Sequence, residues 1–211
     1  MKRHVFIAGT DSGVGKTYII NSLLKGLLEE GVNAVGYKPI ACGDRTEARS
    51  MRDAMQQPSL SLELINPVYL RASTDPQMAS SLERKEIDPD ALMDSWHQLA
   101  NQYDVILTEG CYGWATPMAP GFSMADFAQE LNLPVILVAE NKKGAAGLIA
   151  LTVADIKARG LVCAGVVLNH PGEEWDTAAV TNAELVEQVC GVPVIASLIN
   201  GDDISTDILA F

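Results

Sequence analysis

The sequence predicts an α/β fold in one domain, a mostly parallel β-sheet covered by helices on both faces. Two observations carry that prediction. Short, fully apolar runs alternate along the chain with stretches whose apolar residues recur at helical spacing, the pattern of strands buried on both faces and joined by crossover helices. Neither a second series of this kind nor an internal repeat is present, so residues 1–211 read as one unit, long enough to build a large core.

The first element is the strand-type run Val5-Phe6-Ile7-Ala8, followed directly by Gly9-Thr10-Asp11-Ser12-Gly13-Val14-Gly15-Lys16-Thr17. A glycine-rich turn between strand and helix leaves backbone N–H groups free to surround phosphate, and the helix N-terminus adds partial positive charge. In such a P-loop the lysine, here Lys16, reaches the outer phosphates, and the hydroxyl, here of Thr17, a Mg²⁺ ion. The usual loop has four residues between its glycines; Gly9 and Gly15 enclose five, a variant spacing. Residues 16–30 supply the required helix, with Ile19, Ile20, Leu23, Leu24, Leu27 and Leu28 on one face. The fold class is thus a single-domain P-loop NTPase-like α/β unit.

Gly31 stops the first helix, and residues 32–37 read as a second strand that ends in Lys38-Pro39-Ile40-Ala41-Cys42-Gly43. A helix is expected over 46–57, then loops through Asn66-Pro67 and Asp75-Pro76. Asp88 as N-cap and Pro89 at the first position start a helix that runs to about Tyr103, with Ala91, Leu92, Trp96 and Leu99 as its buried stripe. Residues 104–108 form a strand closed by Glu109. A helix over 123–131, a strand over 134–139, a helix over 144–159, a strand over 162–168, a turn at Asn169-His170-Pro171-Gly172, a helix over 177–190 and a strand over 192–197 complete the series.

The composition is ordinary for a globular chain, with 48% hydrophobic and 20% charged residues, and no apolar run approaches the roughly 18 to 20 residues of a membrane span. A net charge of −12 disfavours nucleic-acid binding, which needs clustered Lys and Arg. Met1-Lys2-Arg3-His4 leads straight into a strand without a signal-segment pattern, and Cys42, Cys111, Cys163 and Cys190 form no C-x-x-C pair, so a cytoplasmic protein without disulfides or zinc is expected. His4, His97 and His170 show no metal or nucleophile spacing and read as structural or solvated.

Lys38 and Glu109 lie where strands meet loops, the carboxyl edge at which open α/β sheets bind ligands. Two readings stand for each: Lys38 as a ligand-facing cation or a solvated lysine, and Glu109 as the carboxylate that holds Mg²⁺ in P-loop proteins or a loop cap. Asp53, on a helix, is either a further carboxylate of this set or a solvated residue. Lys16, Thr17, Lys38, Glu109 and Asp53 together suit phosphoryl transfer from Mg·ATP, which depends on positioning and charge stabilisation. Trp114 is open between lining a pocket and filling core.

In order along the chain, the P-loop, Tyr37-Lys38-Pro39-Ile40, Asn66-Pro67, Glu109-Gly110 with Gly113-Trp114 and Pro117, residues 133–138 and Gly165-Val166-Val167-Leu168-Asn169 resemble the dethiobiotin synthetase family. The resemblance implies a homodimeric enzyme, dependent on ATP and Mg²⁺, that closes a cyclic urea on 7,8-diaminononanoate with CO₂ through a phosphorylated carbamate. It implies Lys16, Lys38 and Ser12 as catalytic residues; Gly13, Val14, Gly15, Lys16, Thr17, Tyr18 and Asn169 around the nucleotide; Thr17, Asp53 and Glu109 around the metal; and Lys38, Cys42, Gly144, Ala145 and Gly147 at the substrate. The match at Asp53 rests on Asp53-Ala54-Met55. The chain departs from the family pattern at Gly13, often acidic; at Cys42, often serine; at Cys111 and Tyr112, within a Glu-Gly-Ala-Gly-Gly-Trp run; and at Gly147, where a Gly-x-Ile-Asn-His segment carries an asparagine. These departures keep two alternatives in view: a paralogue acting on another amine or acid, and a non-catalytic or regulatory P-loop ATPase.

Overall fold

The computed structural model describes residues 2–172, 177–199 and 201–210. Strand β1 (Arg3–Gly9) is buried from Val5 to Gly9 and leads through the glycine-rich turn into α1 (Lys16–Glu29), which buries Ile19, Ile20, Leu23, Leu24 and Leu27 while Leu28 remains exposed. Then come β2 (Ala34–Tyr37), β3 (Ile40–Cys42), α2 (Thr46–Ala54), α3 (Leu62–Ile65), β4 (Val68–Leu70) and α4 (Pro76–Glu83). Helix α5 (Pro89–Gln102) precedes β5 (Val105–Glu109), the hairpin of β6 (Pro117–Ala119) and β7 (Phe122–Ser123), and α6 (Met124–Leu131). The chain continues through β8 (Val135–Glu140), α7 (Ala145–Ala158), β9 (Cys163–His170), α8 (Thr177–Cys190) and β10 (Val194–Ile199) to a 3₁₀ turn, Thr206–Leu209.

Six strands form one sheet in the order β10-β9-β8-β1-β5-β2, and every neighbouring pair is parallel. Parallel strands are buried on both faces, which is why β1, β5 and β8 are almost wholly apolar. β1 is central, with β5 on one side and β8 on the other, and this switch in strand order opens a crevice at the carboxyl ends. The register Ile7 to Glu109 sets the end of β5 beside the start of the P-loop.

Residues 58–87, expected as loops, instead contain α3, β4 and α4, and β4 pairs in parallel with β3 as a separate small sheet. Asp75-Pro76 begins α4 as Asp88-Pro89 begins α5, but only Asp88 caps through its side chain, accepting from the Asp90 amide at 3.0 Å. The helix expected to reach residue 57 ends at Ala54, with Gln56 left-handed at φ 54°. Asn169 and His170, expected in a turn, extend β9 because Leu198 and Ile199 pair with them, a contact from a distant segment. The sequence pattern does not predict the hairpin β6–β7, and Ala91 stays outside the buried stripe Leu92, Trp96 and Leu99.

Candidate functional site

The P-loop lies at the carboxyl end of β1. Gly15 is left-handed (φ 100°), and a Cβ there would stand 2.2 Å from Asn169 Nδ2, so only glycine fits between the loop and β9. Asn169 in turn donates to the Val14 carbonyl at 2.9 Å, joining the end of β9 to the loop. Gly13 is also left-handed (φ 72°), but a Cβ would meet nothing within 4 Å: there the backbone, not space, favours glycine. Ser12 is exposed, and its amide donates to the Asp11 carboxylate at 2.6 Å.

Lys16 is buried, and its ammonium donates to the backbone carbonyls of Asp11 (2.9 Å) and Tyr112 (2.6 Å). Tyr112 presents that carbonyl from a left-handed conformation (φ 51°), while its hydroxyl donates to the Thr74 carbonyl at 3.2 Å. Burial, and then the nearby Lys38, hold the Lys16 ammonium below the usual lysine range.

Lys38 sits between β2 and β3, its backbone pinned on both sides: its amide donates to the Ile65 carbonyl at 2.7 Å, and its carbonyl accepts from the buried Asn66 side chain at 2.8 Å. This is the structural work of the Asn66-Pro67 motif. The Lys38 ammonium is buried between Glu109 Oε1 and Glu47 Oε2, each at 2.7 Å. Burial by itself would lower its pKa, but the groups around it, Glu109 first, then Cys111 and Glu47, outweigh burial and the net shift is upward. Burial pushes the Glu109 carboxyl up, against the opposing pull of Lys38. For Glu47, burial would raise the pKa, yet Lys38 holds it below the ordinary carboxylate range.

Thr17 Oγ1 donates to Glu109 Oε1 at 2.9 Å, while Glu109 Oε2 is buried without a hydrogen-bond partner. An orphaned carboxylate oxygen beside a P-loop threonine fits a divalent cation. Among the described residues no group of three or more His, Cys, Asp or Glu side chains forms a metal cage by itself, so an ion here would share its shell with phosphate oxygens and water.

The structure thus brings together Lys16, Thr17, Lys38 and Glu109 but not Asp53. Asp53 is exposed near the end of α2, six residues beyond Glu47, which turns it about 120° around the helix and carries it about 9 Å along the axis. Glu47, on the first turn of α2, takes the expected place. Both residues precede alanine, so Glu47-Ala48 offered the same two-residue signal as Asp53-Ala54.

Cys42 and Cys111 lie close enough for each thiol to shift the other, Cys42 upward and Cys111 downward. Tyr18 ties α1 to the C-terminal segment by donating to the Asp202 carbonyl at 2.8 Å. Gly144 caps α7 in a left-handed conformation (φ 85°), Ala145 is buried, and Gly147 is exposed with no atom within 4 Å of a Cβ placed on it.

A cleft of about 680 Å³ opens between the P-loop residues Thr10, Asp11 and Ser12, the segment 112–116, and α7. Gly144, Ala145 and Gly147 stop short of it, and its α7 wall begins at Leu148. Neither Lys16 nor Lys38 is in its lining: Lys16 is held by the Asp11 and Tyr112 carbonyls, and Lys38 by Glu109 and Glu47. Trp114 does both things the sequence left open: it is almost fully buried against Phe6, it lines the cleft, and its indole N–H donates to Asp155 at 2.7 Å.

Residues 3–206 match the family model described as an AAA domain. The ATP-dependent dethiobiotin synthetase BioD of Akkermansia muciniphila is 42% identical over 95% of this chain and 94% of its own length. The protein of the same name from Bacillus subtilis strain 168 is 32% identical over 92% of this chain and 85% of its own. Two solved structures share the fold: a ParA family ATPase from Chlorobium tepidum (TM-score 0.60, 15% identity, 99% of this chain and 88% of that one) and the septum site-determining protein MinD of Pyrococcus horikoshii (TM-score 0.61, 18% identity, 95% and 82%).

Proposed function

This chain belongs to the ATP-dependent dethiobiotin synthetase family and is an ATP-dependent ligase of biotin biosynthesis, and we propose that the cluster of Lys16, Lys38 and Glu109 is where it closes the cyclic urea. The substrates are 7,8-diaminononanoate, CO₂ and ATP. One amine adds to CO₂ and loses a proton, giving a carbamate; the terminal phosphoryl group passes to a carbamate oxygen as ADP leaves; the second amine then attacks the carbonyl carbon and phosphate departs. The observation that carries this reading is the buried, charged Lys38 beside the P-loop lysine. A carbamate is anionic, and a protonated lysine with restrained geometry stabilises both it and its phosphorylation.

The P-loop amides from Gly13 to Thr17 and the Lys16 ammonium suit the phosphates, with Lys16 exchanging its contacts to the Asp11 and Tyr112 carbonyls for phosphate oxygens. Thr17, Glu109 and Glu47, in place of Asp53, would hold Mg²⁺, which when bound neutralises charge between the phosphate oxygens. Asn169 suits the nucleotide side through its bond to Val14, and Tyr18, next to Thr17 on α1, belongs to the same side; Ser12 and Cys42 suit the substrate side. A homodimer is part of the proposal, supported by the exposed Leu148 and Leu151 on α7 and Val180 and Val189 on α8. So is the cytoplasm, in keeping with four free cysteines; no helix among the described residues is long and apolar enough to cross a membrane.

Purified protein given diaminononanoate, bicarbonate and Mg·ATP is expected to release phosphate only when the diamine is present. Hydrolysis independent of the diamine, or none, would overturn the assignment.

A further inference from the structure

Arg45 is the N-cap residue of α2, but a guanidinium has no acceptor with which to cap, and the Thr46 amide is satisfied by Asp44 at 2.7 Å instead. The Arg45 side chain is held against residues 63–69 and is only 13% exposed. Its Nε donates to Asn66 Oδ1 at 2.9 Å and its Nη2 to the Asn66 carbonyl at 2.8 Å, so one edge of the fork clamps both oxygens of a single residue. Nη1 reaches Glu63 at 3.0 Å, and the guanidinium lies 5.5 Å from the centre of the Tyr69 ring.

Asn66 is fully buried, and all its polar groups are engaged. Its Nδ2 donates to the Lys38 carbonyl at 2.8 Å and the Val68 carbonyl at 3.1 Å, its amide donates to the Leu62 carbonyl at 2.7 Å, and both its oxygens accept from Arg45. Because a guanidinium can only donate, Arg45 fixes which way the Asn66 side chain faces: Oδ1 toward Arg45 and Nδ2 toward Lys38. On the other side, the helix that Arg45 begins carries Glu47 two residues on, and Glu47 Oε2 holds the Lys38 ammonium at 2.7 Å. The contacts close a ring from the Lys38 carbonyl through Asn66, Arg45 and Glu47 back to the Lys38 ammonium. Both the backbone and the charged tip of a long, flexible side chain are thus referred to one arginine.

We propose that Arg45 is a positioning residue for the reaction, holding the Lys38 ammonium in place through Asn66 on one side and Glu47 on the other. The assignment deepens the proposed function and rests on Lys38 being the lysine that stabilises the carbamate. A catalytic group misplaced by about 1 Å can cost on the order of 100-fold in rate. Without Arg45, two buried oxygens of Asn66 lose their donors, and nothing then fixes the orientation of the amide that holds Lys38. The contacts of Lys16 run to the Asp11 and Tyr112 carbonyls and do not pass through this ring. Loss of Arg45 therefore acts on the chemistry of Lys38 and spares the binding of ATP.

The test is diamine-dependent phosphate release by the intact protein. Arg45→Met is expected to lower kcat about 10-fold while KM for ATP stays within about twofold. Arg45→Lys, whose single ammonium cannot clamp both Asn66 oxygens, should recover part of the loss and stand about threefold below the unmodified enzyme. Glu63→Ala removes only the exposed end of the arrangement and should stay within about twofold. A double-mutant cycle separates positioning from general weakening: once Lys38→Ala has removed the positioned group, adding Arg45→Met should cost less than about twofold more. An unchanged kcat in Arg45→Met, a fall in ATP affinity in step with kcat, an undiminished loss in the Lys38→Ala background, or a Glu63→Ala enzyme as damaged as Arg45→Met each overturn the proposal. If Arg45→Met does not fold, Arg45→Lys carries the same cycle at its smaller magnitude. If the unmodified protein releases no phosphate in response to the diamine, the underlying function fails and this assignment falls with it; diamine-dependent turnover that ignores Arg45 overturns the positioning role alone.

Discussion

Lys16 and Lys38 face the same ligand edge, but the two regions that carry them are built on different terms. Lys16 closes a loop contiguous in sequence, and its ammonium rests on two backbone carbonyls. Its charge is desolvated and only partly compensated, so its pKa falls. Lys38 sits in a region assembled from β2, α2 and β5, between two carboxylates, and its pKa rises in spite of deeper burial. The first lysine waits for an anion to complete its environment. The second already has its counter-charges, which fix its position and leave it protonated when substrate arrives.

The largest way to break this contrast is Lys16→Ala. With phosphate contact and transition-state charge stabilisation both lost, turnover is expected to fall on the order of 1,000-fold and ATP affinity to drop with it, read by phosphate release and nucleotide titration. Lys38→Ala should cut turnover about 100-fold while ATP affinity stays within a few-fold. It also leaves Glu109 buried without its cation, at a stability cost of about 3–5 kcal/mol, and adding Glu109→Gln should recover stability but not turnover in denaturant titrations. Collapse of ATP affinity in Lys38→Ala would instead move Lys38 into the nucleotide region.

A smaller effect separates the two acidic candidates on α2. Glu47→Gln is expected to raise the Mg²⁺ concentration needed for half-maximal activity about tenfold, and Asp53→Asn to leave it unchanged. Equal effects would return Asp53 to the site. The smallest effect follows from the lowered pKa of Lys16. A group whose pKa is lowered loses its proton as pH rises through that lowered value, below the ordinary 10.5. A bound triphosphate favours the charged form, so ATP binding should take up protons, at most about one at Lys16, as pH rises through that lowered value. Calorimetry in buffers of different ionisation enthalpy measures this uptake, and Lys16→Ala should abolish it.

What could be read in advance follows the same division. The P-loop, Lys38 and Glu109 were legible because each is marked by neighbours in sequence: a glycine-rich turn after an apolar strand, or a charged residue where such a strand stops. Residues 58–87 were not, since α3 and β4 are each under five residues and β4 exists by pairing with β3. Glu47 and Asp53 carry nearly the same local signal, and nothing within α2 says which of its faces meets Lys38.

By itself the sequence determined the parallel sheet, the phosphate loop and the two lysines that face it, because apolar periodicity and turn chemistry are properties of consecutive residues. The tertiary structure alone decided that Glu47 joins Lys38, that a Tyr112 carbonyl holds Lys16, and that Trp114, Asp155 and Arg159 line one cleft. Those contacts join segments up to 96 residues apart, as for Lys16 and Tyr112. Their geometry is set by how each helix is rotated and seated on the sheet, which depends on packing across the whole core.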